Sequence, residues 1–247
     1  MRRIAALVLA LGGCSADAET VRPLAERGAA IARYPTVTRS SYNIFACTTC
    51  HAESPAGSRG RPGAALRGAA RRPSFWGGEV LDLREAVTRC WTLFMRGDPA
   101  DIGGPTGDAL EEWLWSLSPE GSADGTGAVP LTWTDVVRDL PGGDPARGRA
   151  VYQRACAWCH GEIGTGRGRL NNRISRVPTD TVLYFDNPAL IPADTPRSTY
   201  FRTLVIEKVR HGSFLGFAGV MPPYAREVLS DAELADIVSA LGLPGDR

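Results

Sequence analysis

The sequence predicts an all-α protein built of two tandem helical domains, and three observations carry that prediction. A five-residue pattern, Cys-x-x-Cys-His, occurs at 47–51 and again at 156–160. Apolar residues recur at the three- and four-residue spacing of a helix face on either side of it. No segment alternates apolar and polar residues with a period of two for long, as a half-buried strand would.

The chain opens on an address. Arg2 and Arg3 precede an apolar run from Ile4 to Leu11, too short to cross a bilayer but suited to an export signal. Leu11-Gly12-Gly13-Cys14 resembles a lipobox, which would lipidate Cys14 and make it the mature N-terminus. Ala16-Asp17-Ala18 offers ordinary signal peptidase a competing site. Residues 1–18 are therefore expected to be a signal peptide, with maturation from Cys14 if it is lipidated. The mature protein is expected on the periplasmic side, anchored to the membrane as a lipoprotein.

The first domain is assigned to 19–118. Within it Leu83, Ala86, Val87, Cys90 and Phe94 form an apolar stripe over Asp82–Met95, with Gly97 as the stop. A second helix, Asp108–Leu117, carries Leu110, Trp113, Leu114 and Leu117. The 119–130 stretch, rich in Pro, Gly, Ser and Asp, reads as a linker. The second domain, 131–247, starts its first helix at Asp144-Pro145, an N-cap followed by proline at the first helical position. Ser230-Asp231-Ala232-Glu233 is a capping box for a C-terminal helix bearing Leu234, Ile237, Val238 and Leu241. Each domain is expected to fold round its own core.

The cysteines set the chemistry. An even count of six in an exported chain first suggests disulfides. The spacing argues otherwise. Cys47-Thr48-Thr49-Cys50-His51 and Cys156-Ala157-Trp158-Cys159-His160 both have the pattern for attaching haem c, the two thiols adding to its vinyl groups and the histidine reaching the iron. A zinc half-site or a redox dithiol is the alternative for one such pentapeptide, and two copies make it remote. Two covalent haems are expected, with His51 and His160 as proximal ligands. Arg59-Gly60-Arg61-Pro62-Gly63 reads as the loop covering His51, with Pro62 supplying a carbonyl to orient it.

Both halves resemble the class I cytochrome c family through C-x-x-C-H, the flanking helices and a downstream methionine loop. In the second half the resemblance implies Met221, in Gly216-Phe217-Ala218-Gly219-Val220-Met221-Pro222-Pro223, as the distal ligand. Lys208 and His211 are the rivals. Lys208, beside Glu207 in a helix, reads more simply as a solvated ion pair, and His211 as a propionate contact or a helix cap. The stretch Val87–Gly97 also resembles one in dihaem thiosulfate dehydrogenases, in which such a cysteine is the second axial ligand of a catalytic haem. That makes Cys90 a candidate metal ligand and, in an enzyme, a catalytic residue. Met95 is its rival, with neither as the third possibility. On an ideal helix the two stand about 140° apart, so they are not expected to face the same iron.

Three functions follow as expectations. The first is transfer of single electrons between periplasmic redox proteins. The second is oxidation of a small sulfur anion at the first haem, with Arg59, Arg61, Arg67, Arg71 and Arg72 lining the anion site. The third is sensing of gas or redox state. The net charge of +1 lacks the basic surplus of a nucleic-acid binder.

Overall fold

The computed structural model describes residues 23–122, 136–214 and 219–245. The export signal with Cys14, most of the 119–130 linker, and Gly216 to Ala218 lie outside them. The chain is all-α. Its described residues form helices and short 3₁₀ turns, with one isolated bridge between Phe75 and Val80. No helix among them is long and apolar enough to cross a membrane.

The first half runs α1 (Leu24–Arg33), α2 (Cys47–Cys50), α3 (Leu83–Leu93), α4 (Pro99–Ile102) and α5 (Pro105–Ser116). Sequence reasoning did not find α1, whose only large apolar residues are Leu24 and Ile31 and whose centre is Gly28. That glycine is the reason the helix packs. A Cβ there would stand 1.9 Å from the Ala109 carbonyl oxygen of α5, so the two backbones cross in contact. Glycine within a helix costs about 1 kcal/mol relative to alanine, and the close crossing offsets it.

α3 starts where expected, the Asp82 carboxylate accepting from the Glu85 amide. Its end differs from expectation. The helix stops at Leu93, the Met95 amide reaches back five residues to the Cys90 carbonyl at 3.3 Å, and Arg96 takes the left-handed conformation. Gly97 is needed for room instead, since a Cβ there would lie 2.1 Å from Trp91 Nε1.

The second half runs α6 (Pro145–Ala155), α7 (Ala157–His160), α8 (Thr179–Phe185), α9 (Arg197–His211) and α10 (Asp231–Ala240). Asp144 caps α6 through the Ala146 and Arg147 amides, and Ser230 and Glu233 form the expected capping box on α10. α6 and α10 repeat the crossing of the first half: a Cβ on Gly148 would stand 1.9 Å from the Asp236 carbonyl oxygen.

The described residues form two apolar cores, one around Trp91, Ile102, Leu110 and Trp113, the other around Ile206, Leu229, Leu234 and Ile237. They are not insulated from each other as expected. Cys159, Phe214 and Val220 pack against the first core. Phe214 stands edge-on to both Trp76 and Phe94, at 6.3 and 5.8 Å between ring centres. The Arg96 guanidinium also donates to the Gly219 carbonyl at 2.9 Å.

Candidate functional site

Each Cys-x-x-Cys-His segment is a single helical turn followed by a loop that folds back over it. The pieces correspond. In the first half the Gly63 amide donates to the Cys50 carbonyl at 3.1 Å, and His51 Nδ1 donates to the Ala64 carbonyl at 2.7 Å. In the second the Leu170 amide donates to the Cys159 carbonyl at 3.0 Å, and His160 Nδ1 donates to the Ser175 carbonyl at 2.8 Å. The carbonyl holding His51 is thus that of Ala64, not of Pro62. The loop turns two residues later than its Arg-Gly-Arg-Pro-Gly signature suggests.

The consequence is a fixed tautomer. A carbonyl only accepts, so Nδ1 carries the proton and Nε2 keeps its lone pair for a ligand. Burial lowers the pKa of both imidazoles and favours that neutral form. Gly63 completes the cradle for the first. A Cβ there would stand 2.3 Å from His51 Cε1 and 2.4 Å from Nδ1.

A cavity of about 240 Å³ opens in front of His51. Cys47, Cys50 and His51 form one side of it, Cys90 and Met95 line it too, and the remaining wall is largely aromatic and aliphatic. Cys90 and Met95 therefore share one cavity. Met95 reaches it from a wider turn beyond the end of α3 at Leu93. Burial pushes the Cys47 thiol up to about 11 and the Cys90 thiol up to about 12, while Cys50 rises further under burial and the nearby Cys90, Cys159 and Cys47. Burial thus favours the protonated form of all three. The five described cysteines are free. No three His, Cys, Asp or Glu residues among the described ones cluster as a metal cage, so a four-ligand zinc site is not assembled. The donor set fits a porphyrin: two thiols, one oriented imidazole and an apolar hollow.

Part of that hollow belongs to the second half. Arg210, Pro222, Pro223 and Ala225 line it. Arg210 is buried, donating to the Tyr224 and Leu229 carbonyls at 2.9 and 2.7 Å and pairing with Asp231 at 2.7 Å. Sequence reasoning had no signal for it, because its neighbours in space are far along the chain.

The arginines proposed for an anion site do not gather. Arg72 lines the cavity and donates to the Ala65 carbonyl. Arg71 turns to the Ser118 carbonyl at 2.6 Å, Arg61 to the first motif's backbone, and Arg59 and Arg67 are exposed.

In the second half Met221 packs against the core, and Ser213 Oγ donates to its carbonyl at 2.9 Å. Gly212 makes that turn possible, since a Cβ there would be 2.5 Å from the Met221 oxygen. Lys208 is half-buried and donates to the Gly212 carbonyl at 2.7 Å, at the C-terminal end of α9. His211 is buried as the last residue of α9.

Residues 143–239 match the family described as cytochrome c oxidase, cbb3-type, subunit III. A cytochrome c domain thus occupies the second half, and covalent haem c is its cofactor. The chain is also 29% identical over 127 residues to a thiosulfate dehydrogenase of Stutzerimonas stutzeri (strain A1501). That match takes in 51% of this chain and only 40% of the dehydrogenase. A solved thiosulfate dehydrogenase from Marichromatium purpuratum aligns with 88% of this chain and 45% of its own at 20% identity, with a TM-score of 0.41.

Proposed function

We propose that the chain is a dihaem c-type cytochrome that passes single electrons between periplasmic redox proteins. One haem is bound through Cys47, Cys50 and His51, the other through Cys156, Cys159 and His160. The observation that carries this reading is the repeated cradle, in which each motif histidine has Nδ1 tied to a loop carbonyl and Nε2 left free. Haem iron, when bound, supplies one-electron redox chemistry. The chain's residues orient the imidazoles, hold the porphyrin among apolar side chains, and place Met221 to serve the second iron as a neutral thioether. The N-terminal reading adds export and a lipid anchor at Cys14.

A second reading is favoured by one observation. Cys90 lies in the same cavity wall as Cys47, Cys50 and His51. In an enzyme that oxidises a small sulfur anion at the first haem, such a thiol beside the iron is the residue to act on substrate, and electrons leave through the second haem. The partial likeness to a thiosulfate dehydrogenase agrees with this.

Mass spectrometry of the mature protein, with optical and EPR spectra, tests the first reading. Two haem additions and two low-spin ferric haems are expected. One haem, or none, defeats it. Steady-state reduction by thiosulfate that depends on Cys90 would establish the second reading instead. Release from membranes by Cys14→Ser tests the anchor.

A further inference from the structure

Arg61 touches both attachment motifs. Its Nη1 donates to the carbonyls of Thr48 and Thr49 at 3.1 and 2.8 Å, the two residues between Cys47 and Cys50. Its guanidinium carbon lies 4.8 Å from the ring centre of Trp158, which stands between Cys156 and Cys159. The indole nitrogen of Trp158 is buried without a hydrogen-bond partner, so the ring meets its surroundings through packing and its face. The loop carrying Arg61 is seated directly on the helix that leads into the second motif. Gly60 has φ 79°, and a Cβ there would stand 3.0 Å from the Arg154 carbonyl oxygen.

We propose that Arg61 is a positioning residue that locks the two attachment motifs face to face and holds one positive charge beside both haems. The inference rests on the dihaem reading above and adds to it a shared electrostatic control.

The side chain suits the task. A guanidinium is planar, stays charged, donates along its edge and stacks by its face. Here the edge serves one motif and the face the other. Lysine has one compact charge and no plane, so it can serve either motif but not both in this geometry. The charge has a consequence for each haem, because ferric iron carries one more positive charge than ferrous. A fixed cation close to both disfavours oxidation of either, raising both midpoint potentials together. The plane has another. It acts as a spacer between the two motifs.

The test is potentiometric titration of the full-length holoprotein, with haem number checked first by mass. Arg61→Gln is expected to shift both midpoint potentials downward, and Arg61→Lys to shift both by less. Trp158→Leu, which keeps the charge but removes the surface it rests on, is expected to lower both as the guanidinium turns to solvent. It also serves if Arg61→Gln does not accumulate. Two attached haems with a shift at one alone, or at neither, overturns the role of Arg61 and leaves the dihaem reading standing. A wild-type protein with a single haem removes that reading and this inference with it.

Discussion

Gly63 lies against His51 so closely that the smallest side chain there would enter van der Waals space of the imidazole, 2.3 Å from Cε1. The proximal ligand is therefore held from two sides, by the Ala64 carbonyl and by the flat face of a glycine. Gly63→Ala should tilt the ring and cut haem attachment at the first motif, with about 1–3 kcal/mol lost as overpacking. Mass spectrometry and urea unfolding read the two effects. A two-haem protein of wild-type stability would show that the loop gives way instead.

The crossing of α6 and α10 makes a second prediction. Gly148→Val places side-chain atoms against the Asp236 backbone and should cost about 1–3 kcal/mol. The loss should appear as a lower denaturant midpoint at the second haem, read by its absorption.

Asp236 sets an acid limit. Its carboxylate accepts from Arg147 at 2.9 and 3.0 Å and from the Asp144 amide at 2.7 Å, and these bonds hold its pKa below the ordinary carboxylate value. A group with a lowered folded pKa stabilises fully above its unfolded value, and the contribution fades as pH falls through the folded one. Stability should drop below about pH 4. Asp236→Asn should be less stable at pH 7 and show a flatter acid decline in thermal unfolding.

The distal ligand of the first haem can be separated by two substitutions. With burial holding the Cys90 thiol up at about 12, a thiolate signal at neutral pH requires iron to displace its proton. Oxidised protein is expected to show a low-spin thiolate EPR signal that Cys90→Ala abolishes and Met95→Ala keeps. The reverse pattern assigns Met95.

For the second haem, Met221→Ala is expected to remove the methionine-to-iron charge-transfer band and lower that haem's potential, since a thioether favours the reduced iron. An unchanged band would move the assignment away from Met221.

What could be read without coordinates was what is local. Asp82, Asp144 and the Ser230–Glu233 box announced helix starts because capping is decided within four residues. The two motifs announced the site for the same reason. α1 stayed hidden because its defining property is an absence, the missing side chain of Gly28, visible only against Ala109. The helical wheel that relates Cys90 to Met95 holds only as far as Leu93, where α3 stops. The meeting of Arg61 and Trp158, and of Arg210 with the first cavity, joins residues far apart in the chain. No periodicity records such contacts.

The pairing of α1 with α5 bears on the order in which the molecule is made. A chain appears N-terminus first. Cys47, Cys50 and His51 emerge while Ala109, the residue on which Gly28 must rest, is still unmade. The hollow in front of His51 has no back wall until Leu110, Trp113 and Leu114 of α5 are in place. In the second half the helix that crosses α6, α10, is likewise the last of the described helices to be made. The first hollow is complete only when Pro222 and Pro223, more than a hundred residues further along the chain than α5, reach it.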